Sequence, residues 1–129
     1  MKYAASLLVM AALAGACLEA GAAPSEAQLR VGRGIVTSTC AVCHTLERGA
    51  GASEGPPLFG VVGRPVASVA GFNYTAGLKQ SLSGKTWTAP LLDAFLTDTQ
   101  KLAPNTGMTY FNDDAATRAA IIQYLSTLN

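Results

Sequence analysis

Cys40-Ala41-Val42-Cys43-His44 sets two thiols three positions apart and an imidazole directly after them. Thiols at that spacing on one helical turn share a face. Each can reach a vinyl group on the same edge of a porphyrin, and the next residue then swings its imidazole under the iron. C-x-x-C-H is the attachment spacing for haem c. Three other uses of the spacing compete with it. A thiol redox motif expects a βαβ pattern around the cysteines, and no strand-length alternation flanks these. A zinc site needs four ligands, and after His44 the chain has no further cysteine or histidine. A structural disulfide has no use for the histidine. The expected cofactor is therefore one haem c, covalently bound through Cys40 and Cys43.

The residue inventory carries a second argument. His44 is the single histidine of the chain, which excludes ligation of one iron by two histidines of this chain. Of the three methionines, Met1 and Met10 lie in the first ten residues and Met108 stands alone later. A lone methionine is ordinarily core filler. Met108, however, sits in the polar loop Ala103-Pro104-Asn105-Thr106-Gly107-Met108, away from any apolar stripe. If the iron has a second strong axial ligand, Met108 is the candidate; the alternative is an open or water-bound sixth position, which suits sensing or peroxidase chemistry. Histidine with methionine raises the reduction potential and leaves no site for substrate. The expectation is electron transfer rather than enzymatic catalysis.

Length, charge and the N-terminal segment bound the rest. The 129 residues suffice for one domain. Met1-Lys2 is followed by a run without charge from Tyr3 to Leu18 and then by small residues at Gly21, Ala22 and Ala23. The pattern reads as a secretory leader over residues 1–23, with the domain over 24–129 and a periplasmic destination. A retained membrane anchor and a lipidated Cys17 are the alternatives. Nine basic and eight acidic side chains nearly balance, and no basic run points to nucleic acid or to stable membrane insertion once a leader is removed. The expected state is a monomer that meets redox protein partners. A core of this size is marginal unless something large and apolar is added to it.

The coarse pattern is helical. Ser25 and Gln28 stand at capping-box spacing for a helix over 24–39, with Leu29, Gly32, Ile35 and Val36 on one face. Residues 47–63 read as a glycine-rich loop around Pro56-Pro57. A short helix fits 75–82, weakened by Gly77. A stronger one begins near Pro90 and buries Leu91, Leu92, Phe95 and Leu96. Residues 101–111 read as loop. The last helix is expected to be capped by Asn112, with Ile121, Ile122, Leu125 and Leu128 inward. A few helices and much loop make a poor self-sufficient core and a natural shell for a cofactor.

Over roughly residues 28–128 the chain resembles the class I c-type cytochromes, the mitochondrial type and its soluble bacterial relatives. The likeness rests on Cys40 to His44 and on Gly55-Pro56-Pro57-Leu58-Phe59-Gly60-Val61-Val62-Gly63-Arg64. It continues through Gly71-Phe72-Asn73-Tyr74-Thr75, Trp87, Leu91-Leu92, the Pro104 to Met108 loop and Ile121-Ile122-Gln123-Tyr124-Leu125. The resemblance implies an all-α class I cytochrome c fold wrapped around one haem. It implies that the Pro56 carbonyl accepts the free N–H of His44, and that Arg64, Tyr74 and Trp87 satisfy the inner haem propionate. It also implies that Gly32 lets the first and last helices cross against Tyr124. Three departures from the family pattern stand out. Val36 replaces an aromatic, so a looser crossing is expected. Leu78 replaces an asparagine that holds an internal water. Gly107 precedes Met108 where mitochondrial members carry a lysine. With only Lys79, Lys85 and Lys101 left besides arginines, docking is expected to depend less on salt than in those relatives.

Overall fold

The computed structural model describes residues 23–129. The expected leader, with Cys17 in it, lies outside the described residues save for Ala23 at its end. Five helices follow in order: α1 Glu26–Ser38, α2 Ala76–Leu82, α3 Ala89–Thr97, α4 Thr99–Leu102 and α5 Ala115–Leu125. A single 3-10 turn, Cys40–Val42, continues from α1. Among the described residues there is no strand, only two isolated bridges, Pro65 with Thr86 and Asp98 with Phe111. The architecture is all-α, as the patterning implies.

α1 starts where the capping box sets it. The Ser25 hydroxyl accepts from the Gln28 backbone N–H at 3.2 Å, and the Gln28 side chain accepts from the Ser25 N–H at 3.1 Å. Two orphan donors are thereby satisfied at once. α1 then crosses α5 at Gly32. A Cβ there would run into the Ala120 carbonyl and lie 2.9 Å from Cβ of Tyr124, so only hydrogen fits. One turn later Val36 is fully enclosed, at 0% exposure. The side chain expected to loosen this crossing is thus among the most deeply buried in the protein.

α3 is capped by Thr88, carries Pro90 in its first turn and buries Leu92, Phe95 and Leu96, with Leu91 half-buried. It is tied to α5 by Arg118, whose Nε donates to the Asp93 carboxylate at 2.8 Å and whose Nη1 donates to the Asn112 carbonyl at 3.0 Å. Arg118 is buried, and the Asp93 hydrogen bond holds its guanidinium above the ordinary arginine pKa. A buried charge is tolerable when it is matched in this way.

Two boundaries differ from the expectation. α5 begins two residues late, and its cap is Asp114, not Asn112. The Asp114 carboxylate accepts from the Ala116 N–H at 3.0 Å and from the Thr117 hydroxyl at 2.6 Å. Asn112 instead accepts from the Asp114 N–H at 2.9 Å, closing a local turn ahead of the helix. A carboxylate suits the positive end of the helix dipole better than a neutral amide. The second difference is α4, which occupies the beginning of the 101–111 loop. One Asp98 oxygen accepts from the N–H groups of both Gln100 and Lys101, each at 3.0 Å. A four-residue turn is too short to leave an apolar period in the sequence.

Two outcomes test this account. Gly32→Ala gains about 1 kcal/mol in helix propensity. The overlap is with backbone atoms that cannot move aside, so a net loss of about 1–3 kcal/mol is expected in guanidinium unfolding of the haem-loaded protein. The Thr117 hydroxyl and the Ala116 N–H hold the Asp114 carboxyl below its ordinary value of 3.8. A depressed carboxyl stabilises the fold above its unfolded pKa, and that contribution is lost as pH falls through the folded pKa. Asp114→Ala should therefore lower the Tm at pH 7, with the gap to the natural protein closing in strongly acidic buffer.

Candidate functional site: a cavity between the helices

The apolar faces of α2, α3 and α5 and the loops between them meet around a cavity of about 590 Å³. Its lining brings together Cys40, Cys43, His44, Pro56, Arg64, Tyr74, Trp87 and Met108, all eight residues expected from the sequence to hold the cofactor.

The 3-10 turn builds one wall. The N–H groups of Cys43 and His44 both donate to the Cys40 carbonyl, at 3.1 and 3.0 Å. This winds the five-residue motif into a single turn, and Cys40, Cys43 and His44 all contribute to the cavity lining. Cys40 is half-buried, and burial pushes its thiol pKa up. A thiol–disulfide oxidoreductase needs the opposite shift, toward the thiolate. Among the described residues no group of three or more histidine, cysteine or acidic side chains could hold a metal ion. Neither observation favours the thiol-redox or the zinc use of C-x-x-C.

His44 is fixed from two sides. Its Nδ1 donates to the Pro56 carbonyl at 2.7 Å, the contact that the resemblance implies. With the proton committed to Nδ1, the Nε2 lone pair is the one left for a metal. Beneath the ring lies Gly55, where a Cβ would stand 2.6 Å from Nδ1. The Gly55 N–H donates to the Cys43 carbonyl at 2.7 Å, which holds this loop against the turn. The role of Gly55 was not legible beforehand; only its place ahead of Pro56-Pro57 hinted at a close approach.

A second cluster is made of donors. Arg64 gives Nη1 to the Phe59 carbonyl at 3.1 Å and Nη2 to the Pro57 carbonyl at 2.7 Å. Partial burial draws its pKa down, while the neighbouring Tyr74 acts in the other direction. The Tyr74 oxygen accepts from the Val69 N–H at 3.3 Å, leaving its own hydrogen to donate. Trp87, buried at 8% exposure, brings an indole N–H as a further donor. Three donors thus converge on a cavity whose one acidic lining residue is Glu54.

Met108, half-buried and packed against the hydrophobic core, lines the same cavity, as do Leu78, Phe95 and Leu96. Leu78 is buried, so the position where an asparagine would order water is apolar here. Gly77, read from sequence as a weak point of α2, has a positive task. A Cβ there would lie 2.7 Å from the Asn105 carbonyl carbon, so the glycine lets α2 press against the methionine loop. Lys79, Lys85 and Lys101 are exposed, and none lines the cavity.

The donor set fits haem c. It offers an imidazole and a thioether for iron, two thiols for vinyl groups, an apolar body for the macrocycle and three hydrogen-bond donors for a carboxylate.

Known proteins agree with that fit. The family described as cytochrome C oxidase, cbb3-type, subunit III matches residues 27–125. Cytochrome c2 of Rhodopila globiformis is 39% identical over 99 residues, which cover 75% of this chain and 90% of the relative. Cytochrome c-550 of Ancylobacter novellus is 35% identical over 92 residues, covering 70% of this chain and 86% of the relative. The cytochrome c-type cyt cy of Rhodobacter capsulatus is 35% identical over 114 residues; these cover 88% of this chain and 55% of that longer protein. A helical shell around a cavity lined by the C-x-x-C-H turn, matched over 70% and 75% of the chain to a cytochrome c-550 and a cytochrome c2, belongs to the class I c-type cytochromes, electron-transfer proteins that hold one haem c covalently, here through Cys40 and Cys43.

Proposed function

We propose that this chain is a soluble periplasmic shuttle of single electrons whose iron is held by His44 and Met108. The observation that carries the reading is the 2.7 Å contact from His44 Nδ1 to the Pro56 carbonyl. It commits the ring to the tautomer in which Nε2 can bind iron, and it makes the imidazole a stronger ligand. Met108, in the lining of the same cavity, would supply the thioether. When bound, haem c provides a one-electron couple between ferric and ferrous iron.

The chain's own groups do the remaining work. His44 and Met108 would hold the iron, and a histidine with a methionine would raise its potential and leave no site for substrate. Arg64, Tyr74 and Trp87 would offer donors to a haem propionate, whose burial without donors would be costly. Leu78, Phe95 and Leu96 keep water from the methionine side. The uncharged run over Tyr3 to Leu18, with small residues after it, supports export to the periplasm. The near balance of charge and the scarcity of lysine favour partner proteins met through short-range contacts, with little salt dependence. The family description names a cytochrome c oxidase, which supports an oxidase among those redox partners.

Absorption spectra of the purified protein in both redox states test the assignment. The expected result is a haem c spectrum with a red-region methionine-to-iron charge-transfer band in the ferric form. The reduced protein should bind carbon monoxide only slowly at neutral pH, and Met108→Ala should bind it at once. Absence of the band together with rapid binding by the natural protein would overturn the reading. The cavity makes a separate prediction. A Cys40→Ala/Cys43→Ala chain without haem should show little helix by far-UV circular dichroism, because its apolar faces then enclose nothing.

A further inference from the structure

We infer that Thr99 and Gln100 are positioning residues that lock the Met108 thioether in place and thereby keep the sixth coordination position closed. The inference rests on Met108 being the second axial ligand. Thr99 is completely buried, at 0% exposure. A buried hydroxyl inside a helical turn needs partners, and this one finds them across the cavity loop. It donates to the Met108 carbonyl at 2.8 Å, lies 3.2 Å from the Tyr110 carbonyl and accepts from the Tyr110 N–H at 3.0 Å. The Thr99 N–H adds a bond to the Tyr110 carbonyl at 3.1 Å. Residues 108 and 110 are therefore pinned by one side chain and its own backbone.

Gln100 closes the same loop from its other end. Its Nε2 donates to the carbonyls of Thr106 at 2.9 Å and Met108 at 3.0 Å, while its Oε1 accepts from the Asn105 N–H at 3.2 Å. Turning the amide over would set oxygen against two carbonyl oxygens, so the orientation follows from the network. The Met108 carbonyl thus accepts from both Thr99 and Gln100. Asp98, capping α4, fixes the backbone from which both side chains spring. On the far side the loop is backed by α2 at Gly77. With its backbone held between two helices, Met108 keeps freedom only in its side-chain torsions.

A thioether is a weak ligand, and an external ligand competes with it in proportion to the time the loop spends open. Each clamp bond that is lost raises that open fraction. The loss leaves a buried carbonyl short of a donor, a penalty equivalent to about tenfold in an equilibrium. The test measures carbon monoxide affinity of the reduced haem-loaded protein at neutral pH, with the ferric charge-transfer band as a second readout. Thr99→Val keeps the shape and removes the hydroxyl; it should raise the affinity about tenfold and weaken the band. Thr99→Ser restores the hydroxyl and should return both toward the natural protein. Gln100→Met, at a half-buried position, should act like Thr99→Val and carries the test should the valine variant not fold. Natural-like carbon monoxide affinity in both Thr99→Val and Gln100→Met would overturn the inference. Failure of the underlying ligand assignment looks different: the natural protein itself would lack the band, and Met108→Ala would leave carbon monoxide binding unchanged.

Discussion

The apolar faces of this protein converge on a space that its own side chains do not fill. The cavity of about 590 Å³ lies where a self-sufficient domain of this size would have its densest packing. Every other feature follows from that constraint. The helices can be few and short, because the macrocycle supplies the bulk they lack. The loops can be long, because each is held by the object it surrounds. Attachment through two thioethers then makes the filling permanent, so the fold and the cofactor stand or fall together.

Polar groups in such an interior must be matched, and the structure divides them by wall. On one side the Pro56 carbonyl takes the histidine proton. On another, Arg64, Tyr74 and Trp87 present donors with little acid nearby. In the methionine loop, the backbone of residues 105, 106, 108 and 110 takes its hydrogen bonds from Thr99 and Gln100 of α4.

Much of this was legible in the residues. The C-x-x-C-H turn, the single histidine and the lone later methionine pointed to the cofactor and to the elements that hold it. Ser25 with Gln28 marked the start of α1, and Pro90 marked the start of α3. What escaped had physical reasons. Asn112 and Asp114 are both good caps, and only the local turn that engages Asn112 decides between them. α4 is too short to show a period, so Thr99 and Gln100 passed as the edge of a loop. Gly55 and Gly77 read as helix-weakening or loop-forming residues, because the atoms that crowd them come from distant parts of the chain. Lys79, Lys85 and Lys101 stand clear of the cavity, on the surface, where their scarcity was already visible in the sequence.

The crossing at Gly32 has a consequence for how the molecule is made. It joins the first helix to the last, and the haem-bearing turn follows directly on the first. During synthesis, the segment from Ser25 to His44 emerges well before Ala120 and Tyr124 exist to receive it. α1 gains its main packing partner only once the C-terminal residues are in place, so the last helix to be made is the one that anchors the segment carrying Cys40 and Cys43.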